Sequence, residues 1–125
     1  MAQTETRPGI TGVRTVGIPV RDQDRALEFY VEKLGFEKRL DAPFGAGGRW
    51  IEVAPPGAPT SIALVSSAAS GTDTGIRLTT KDARADHAAL KGRGVDVDAE
   101  IQPYPVPMFA FRDQDGNRLI LVQEA

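Results

Sequence analysis

The chain has 125 residues, 41% of them hydrophobic and 26% charged, with a formal net charge of −2. That length suits one domain with its own core, burying about two-thirds of the surface of the unfolded chain. The lack of cysteine excludes disulfides, thiolate metal sites and a cysteine nucleophile, and the mixed charge without a basic block excludes nucleic acid as an expected partner.

Residues 1–12 are expected to form a disordered or extended tail. Its first part, MAQTETRPG, lacks the apolar core of a secretory leader. No stretch of the chain reaches the roughly 20 apolar residues of a spanning helix. A soluble, cytoplasmic protein with no membrane partner is expected.

The first expected strand is VRTVGIPV (13–20), in which Val16, Ile18 and Val20 share one face and Val13, Thr15 and Gly17 the other. Asp22 stands where an N-cap belongs. QDRALEFYVEKL follows, with Leu27, Tyr30, Val31 and Leu34 at helical spacing. Gly35 is placed to end the helix in the left-handed region, with Phe36 folding back onto the last turn. EKRLDA, RWIEVA and SIALVS are three short strands, and PFGAGG and PPGAPT between them carry the glycines and prolines of loops.

Residues 67–74 form a small, polar linker, after which the pattern restarts. GIRLTT is a strand, Asp82 a second N-cap, and ARADHAALKGR a helix that ends at Gly94 and Val95. VDVDAEI, MFAFRD and NRLILVQ are three more strands. The unit β-α-β-β-β is thus written twice, about sixty residues apart.

The fold expected is α+β. Two βαβββ modules, about 13–66 and 75–125, pair into a curved mixed sheet, a cup, with the helices on its convex face. In NRLILVQ, Leu119 and Leu121 turn toward the helices and Arg118, Ile120 and Val122 line the concave side. A strand without a polar face implies a largely dry cup.

Three stretches carry a family resemblance: VGIPVRDQDRALEFYVEKLGFE near the start, LTTKDARADHAALKGRGV in the middle, and FRDQDGNRLIL at the end. Together they resemble the vicinal oxygen chelate superfamily, which includes glyoxalase I, bleomycin-resistance proteins and extradiol dioxygenases. The resemblance covers nearly all of 13–122, although Gln114 replaces the proline frequent at that turn position.

In the family's enzymes, several cup strands each supply His, Gln or Glu to one divalent metal. The resemblance puts those positions at Thr15, Ala63, Gly75 (or Thr74, one register away) and Ile120, and none can supply such a ligand. A register shift brings in Arg14 or Leu121, which do no better. A divalent cation needs three or more protein donors. No metal, no cofactor and no catalytic residue are therefore expected. The alternative is a lyase, isomerase or dioxygenase with a shifted divalent-metal site.

Other residues are candidates for contact with a ligand. Alternation in RWIEV turns Trp50 and Glu52 toward the concave side, and in GIRLTT it turns Arg77 and Thr79 there. Glu52 and Arg77 would either form a rim ion pair or orient a polar group of a ligand. Phe44 lies in a glycine-rich loop. Tyr104, Met108 and Phe109 lie in PYPVPMF, which three prolines stiffen. These side chains either frame a pocket mouth or plug the cup themselves. His87, the only histidine, falls on the helix–sheet side, where a packing role is expected. PPGAP and GAGG lack the lysine and the strand-to-helix setting of a phosphate loop.

The function expected is a metal-free binding protein of the bleomycin-resistance type. It would hold an amphipathic or aromatic small molecule, an antibiotic being one class the resemblance raises. The resemblance also implies a homodimer with two sites. A module whose cup is filled by its own side chains is the remaining reading.

Overall fold

The computed structural model describes residues 7–124, so the first half of the expected tail lies outside the described residues. The first module runs β1 (Thr15–Val20), α1 (Gln23–Glu28), β2 (Glu37–Phe44), β3 (Gly48–Ala54) and β4 (Ser61–Ser66). The second repeats it as β5 (Asp73–Thr80), α2 (Ala83–Gly92), β6 (Asp96–Val97), β7 (Met108–Arg112) and β8 (Arg118–Gln123). Each module builds one mixed four-stranded sheet of the same topology, β1-β4-β3-β2 and β5-β8-β7-β6. In both, the strand before the helix pairs in parallel with the last strand of its module. The fold class is the one expected: α+β, two βαβββ modules.

Local chemistry sets the helix limits. Asp22 accepts from Arg25 N and Asp82 from Ala85 N, each satisfying a donor that the first helical turn leaves free. After Glu28 the first helix widens into a π-helical segment, Phe29–Lys33, in which Leu34 N reaches back five residues to Phe29 O. Gly35, at φ 77°, then reverses the chain, and Phe36 N closes onto Tyr30 O at 3.0 Å. Among the described residues no helix is long and apolar enough to cross a membrane. The expected VDVDAEI strand shrinks to Asp96–Val97, because the chain then departs into a proline-bearing strap, 98–107, which returns at β7.

The helix-bearing sides of the two sheets share one core. Ile18, Tyr30, Ile51 and Leu64 from the first module join Leu90, Phe109, Phe111 and Leu119 from the second. The helix ends are tied reciprocally, Lys33 Nζ donating to Arg93 O at 2.6 Å and Arg93 NH1 to Lys33 O at 2.8 Å.

A polar clasp beside this core involves both modules and the linker. Fully buried Asn117 accepts from Gly71 N (2.8 Å) and Thr72 N (3.0 Å). Its amide nitrogen donates to Pro19 O (2.8 Å) and Asp113 Oδ2 (3.0 Å). Asp113 also accepts the Tyr30 hydroxyl at 2.8 Å. Burial, and then the Asp113 carboxylate, push the Tyr30 phenol well above its ordinary pKa, so it stays a donor.

The same turn carries one flaw. Gly116 N bonds Asp113 O at 3.0 Å, which makes Gln114 the second residue of a β-turn, where proline is favoured. The Gln114 side-chain amide is buried with neither its nitrogen nor its oxygen hydrogen-bonded. Gln114→Pro is therefore expected to stabilise the fold by about 0.5–1 kcal/mol, by restricting the unfolded chain and removing two unmet polar atoms. Urea denaturation of the two proteins measures this.

Candidate functional site

On the first sheet, Ile51 and Val53 are fully buried against the helix, which turns Trp50 and Glu52 to the opposite, concave face. Register places Glu52 between Leu40 of β2 and Ala63 of β4, and Trp50 beside Ala42. The Phe44 ring, 63% exposed, lies against the Trp50 indole with centroids 5.4 Å apart and planes tilted by 52°. The indole Nε1 donates to Glu52 Oε2 at 2.7 Å, which fixes the plane of the Trp50 ring.

Glu52 itself is only 6% exposed. Ser61 Oγ lies 2.8 Å from its Oε1 and 2.9 Å from Thr15 Oγ1. The serine has one proton, and the carboxylate, as the charged acceptor, holds it more strongly. The Trp50 N–H and then the Ser61 hydroxyl hold the Glu52 carboxyl below its usual pKa, against the opposing effect of burial; Arg14 NH2, 3.7 Å away on a well-exposed side chain, adds to this. Glu52 is thus a buried anion whose close donors are both neutral.

On the second sheet, Met108 lies opposite Val122, Ala110 opposite Ile120, and Arg112 opposite Arg118. The strap closes over part of this concave face and leaves a recess of about 330 Å³, lined by Gln102, Tyr104, Pro105, Met108, Arg118 and Ile120 among others. Gln102 and Met108 bond each other's backbones in both directions, at 2.8 and 2.9 Å. Asp98 anchors the start of the strap, accepting from Arg112 NH2 at 2.8 Å while its carbonyl lies 2.7 Å from His87 Nε2. Tyr104, 78% exposed, stands at the mouth.

Two expectations are corrected. Glu52 and Arg77 do not pair, because they sit on different sheets: Glu52 takes Trp50 and Ser61, and Arg77 NH1 donates to Gly75 O at 3.3 Å. Arg77 instead lines a groove of about 650 Å³ between β1, β4 and β5, together with Val16, Ile62 and Ile76. Phe109 borders the strap recess, but its side chain is buried on the helix side. It is 2% exposed and packs edge-on against His87 of α2, with centroids 4.9 Å apart. Met108 and Phe109 are neighbours on one strand, so they must face opposite ways; the expected strand MFAFRD already implied that alternation, and grouping both residues with the PYPVPMF segment overrode it.

Thr15 and Ala63 lie on the first concave face and Ile120 on the second, as the resemblance implied. Gly75 sits at φ 70°, where the β5–β8 register shifts, and it is Arg77 that comes opposite Ile120. A hydroxyl, a methyl, a glycine and a butyl group do not make a donor set for a divalent ion, and among the described residues no three His, Cys, Asp or Glu side chains gather to hold one. The residues present do not fit the family's metal.

Sequence reasoning placed Arg118 on the concave side, where it lines the recess, but missed Ser61 and Gln102 as members of the two concave surfaces. The signal for Ser61 was present, a polar residue at an inward position of SIALVS. Gln102 carried none, because the strap's path is set by its anchors.

The geometry has counterparts among known proteins. The Glyoxalase/Bleomycin resistance protein/Dioxygenase superfamily profile matches residues 12–121. The chain is 32% identical over 117 residues to YetH of Bacillus subtilis (strain 168), covering 90% of this chain and 98% of that one. Its fold is similar to that of TnmS3, an antibiotic binding protein from Streptomyces sp. CB03234, with a TM-score of 0.83 and 40% identity over 95% of this chain and 100% of that one. A superfamily member from Sphaerobacter thermophilus DSM 20745 is similar at a TM-score of 0.85 and 38% identity, covering 92% and 98%. With its doubled βαβββ unit and two concave sheets, the chain belongs to the glyoxalase/bleomycin resistance protein/dioxygenase superfamily.

Proposed function

We propose that the protein is a metal-free binder that sequesters an amphipathic, aromatic small molecule, with antibiotics as the leading class. The observation that carries this reading is the Phe44–Trp50 pair on the concave face, Phe44 exposed and Trp50 half-buried with its indole plane fixed by Glu52. A flat ligand gains stacking and apolar burial there at little cost in side-chain entropy. Likeness to TnmS3, described as an antibiotic binding protein, supports the ligand class. The unsuitable side chains at the family's metal positions support binding over catalysis.

The site comprises Phe44, Trp50 and Glu52 from the first sheet, with Arg77, Tyr104 and Met108 from the second module. The aromatic pair and the strap recess draw on separate modules and share no lining residue. A homodimer can therefore complete each cup with the first module of one chain and the second module of its partner.

Thermal-shift screening against planar natural products and antibiotics tests the binding. At a free concentration a hundred times the dissociation constant, a true ligand adds about 2.7 kcal/mol to stability. Trp50→Ala should abolish most of that gain. If no compound stabilises the wild type, or if every hit survives Trp50→Ala, the assignment is wrong.

A further inference from the structure

The concave face of the first sheet is electron-rich. Strand alternation and register assemble it from Thr15 and Gly17 of β1, Ser61 and Ala63 of β4, Trp50 and Glu52 of β3, and Leu40, Ala42 and Phe44 of β2. Among these residues Glu52 carries the single formal charge. Its two hydrogen-bond donors, Trp50 Nε1 and Ser61 Oγ, are neutral, so they satisfy lone pairs without cancelling charge. A carboxylate has about four acceptor sites, and two are used by these donors.

Arg14 approaches Glu52 only to 3.7 Å, and its side chain is 78% exposed, so solvent screens it. The Phe44 and Trp50 rings stand on the same face, and the flat sides of such rings carry negative potential that attracts cations. Of the other cations on these strands, Arg49 and Lys38 are held by Asp41, with Asp24 also on Arg49, and Arg39 is held by Glu37 and the Pro55 and Ala58 carbonyls.

Neutral donors hold Glu52 in its charged form without cancelling that charge, so a cation brought to this face meets an attraction that the screened Arg14 leaves largely unspent. Resting on the binding role proposed above, we infer that the ligand presents a cation to this face: a protonated amine, amidine or ring nitrogen attached to a planar aromatic system. The aromatic system stacks on Trp50 and Phe44, and the cationic group lies toward the Glu52 carboxylate. A ligand with an anionic group at that end is repelled.

Three planar tricyclic probes of similar size test this: proflavine, cationic at neutral pH; acridone, neutral; and anthraquinone-2-sulfonate, anionic. Trp50 is the chain's single tryptophan, so quenching of its fluorescence reports binding, strongest for a ligand stacked at this face. Proflavine should bind at least tenfold more tightly than acridone, with the sulfonate weakest. Glu52→Gln, which keeps an acceptor for the indole N–H, should collapse the proflavine-to-acridone ratio toward one. In the wild type, raising salt from 50 to 500 mM should weaken proflavine more than acridone, a readout that needs no variant to fold.

Equal affinities for proflavine and acridone, or the tightest binding by the sulfonate, overturn the inference and leave the aromatic-binding role standing. Failure of all three to quench overturns both.

Discussion

Asn117→Ala should lower unfolding free energy by about 3–5 kcal/mol, among the largest losses available from one side chain in this protein. The substitution leaves Gly71 N, Thr72 N and Pro19 O without partners and removes a donor from Asp113. Each unmet group costs about 1–3 kcal/mol where water cannot replace the lost bond. Chemical denaturation followed by far-UV circular dichroism measures the loss.

Asn117→Asp separates hydrogen bonding from shape. It keeps the acceptor for Gly71 and Thr72 but sets a second carboxylate against Asp113. Its deficit relative to the wild type should narrow as pH falls into the carboxyl range, because protonating one of two facing carboxyls removes the repulsion and restores a donor. A deficit that stays constant with pH would mean the clasp matters through packing alone.

Mixing two binding-dead variants should restore binding if cups are shared between chains. Trp50→Ala removes the stacking surface from the first module, and Ile120→Trp fills the recess of the second. Either homodimer then has two defective cups. In a mixed dimer, one cup collects both lesions and the other neither. Random exchange makes about half the dimers mixed, so about a quarter of wild-type sites should return, as counted by calorimetric titration with a compound that stabilises the wild type. If each chain builds its own cup, every cup in the mixture carries a lesion and no site returns. The Ile120 lesion acts at the face where Met108, Ala110 and Arg118 meet the strap, away from the core formed by Leu119 and Phe111, so both variants should fold.

Much of this molecule was legible in its sequence because the deciding forces there are local. Asp22 and Asp82 as helix caps, Gly35 and Gly94 as left-handed stops, and the doubled βαβββ order all follow from interactions within a few residues. Strand alternation put Leu119 and Leu121 in the core and Trp50 and Glu52 on the other face, because side chains alternate with period two whatever they pack against.

Partner choice was not legible. Glu52 and Arg77 each face a concave side, yet which polar group each meets depends on how two separate sheets are placed. Ser61, nine residues along the chain, reaches Glu52, and Arg77 does not. The strap's recess, the burial of Phe109 against His87, and the clasp from Pro19 to Asn117 span up to 98 residues of chain. No periodicity carries those pairings, because they are fixed only when the two modules close on a common core. The sequence determined which faces are greasy and which residues end each element; tertiary packing alone decided which partner each polar group meets, because those partners come from distant parts of the chain.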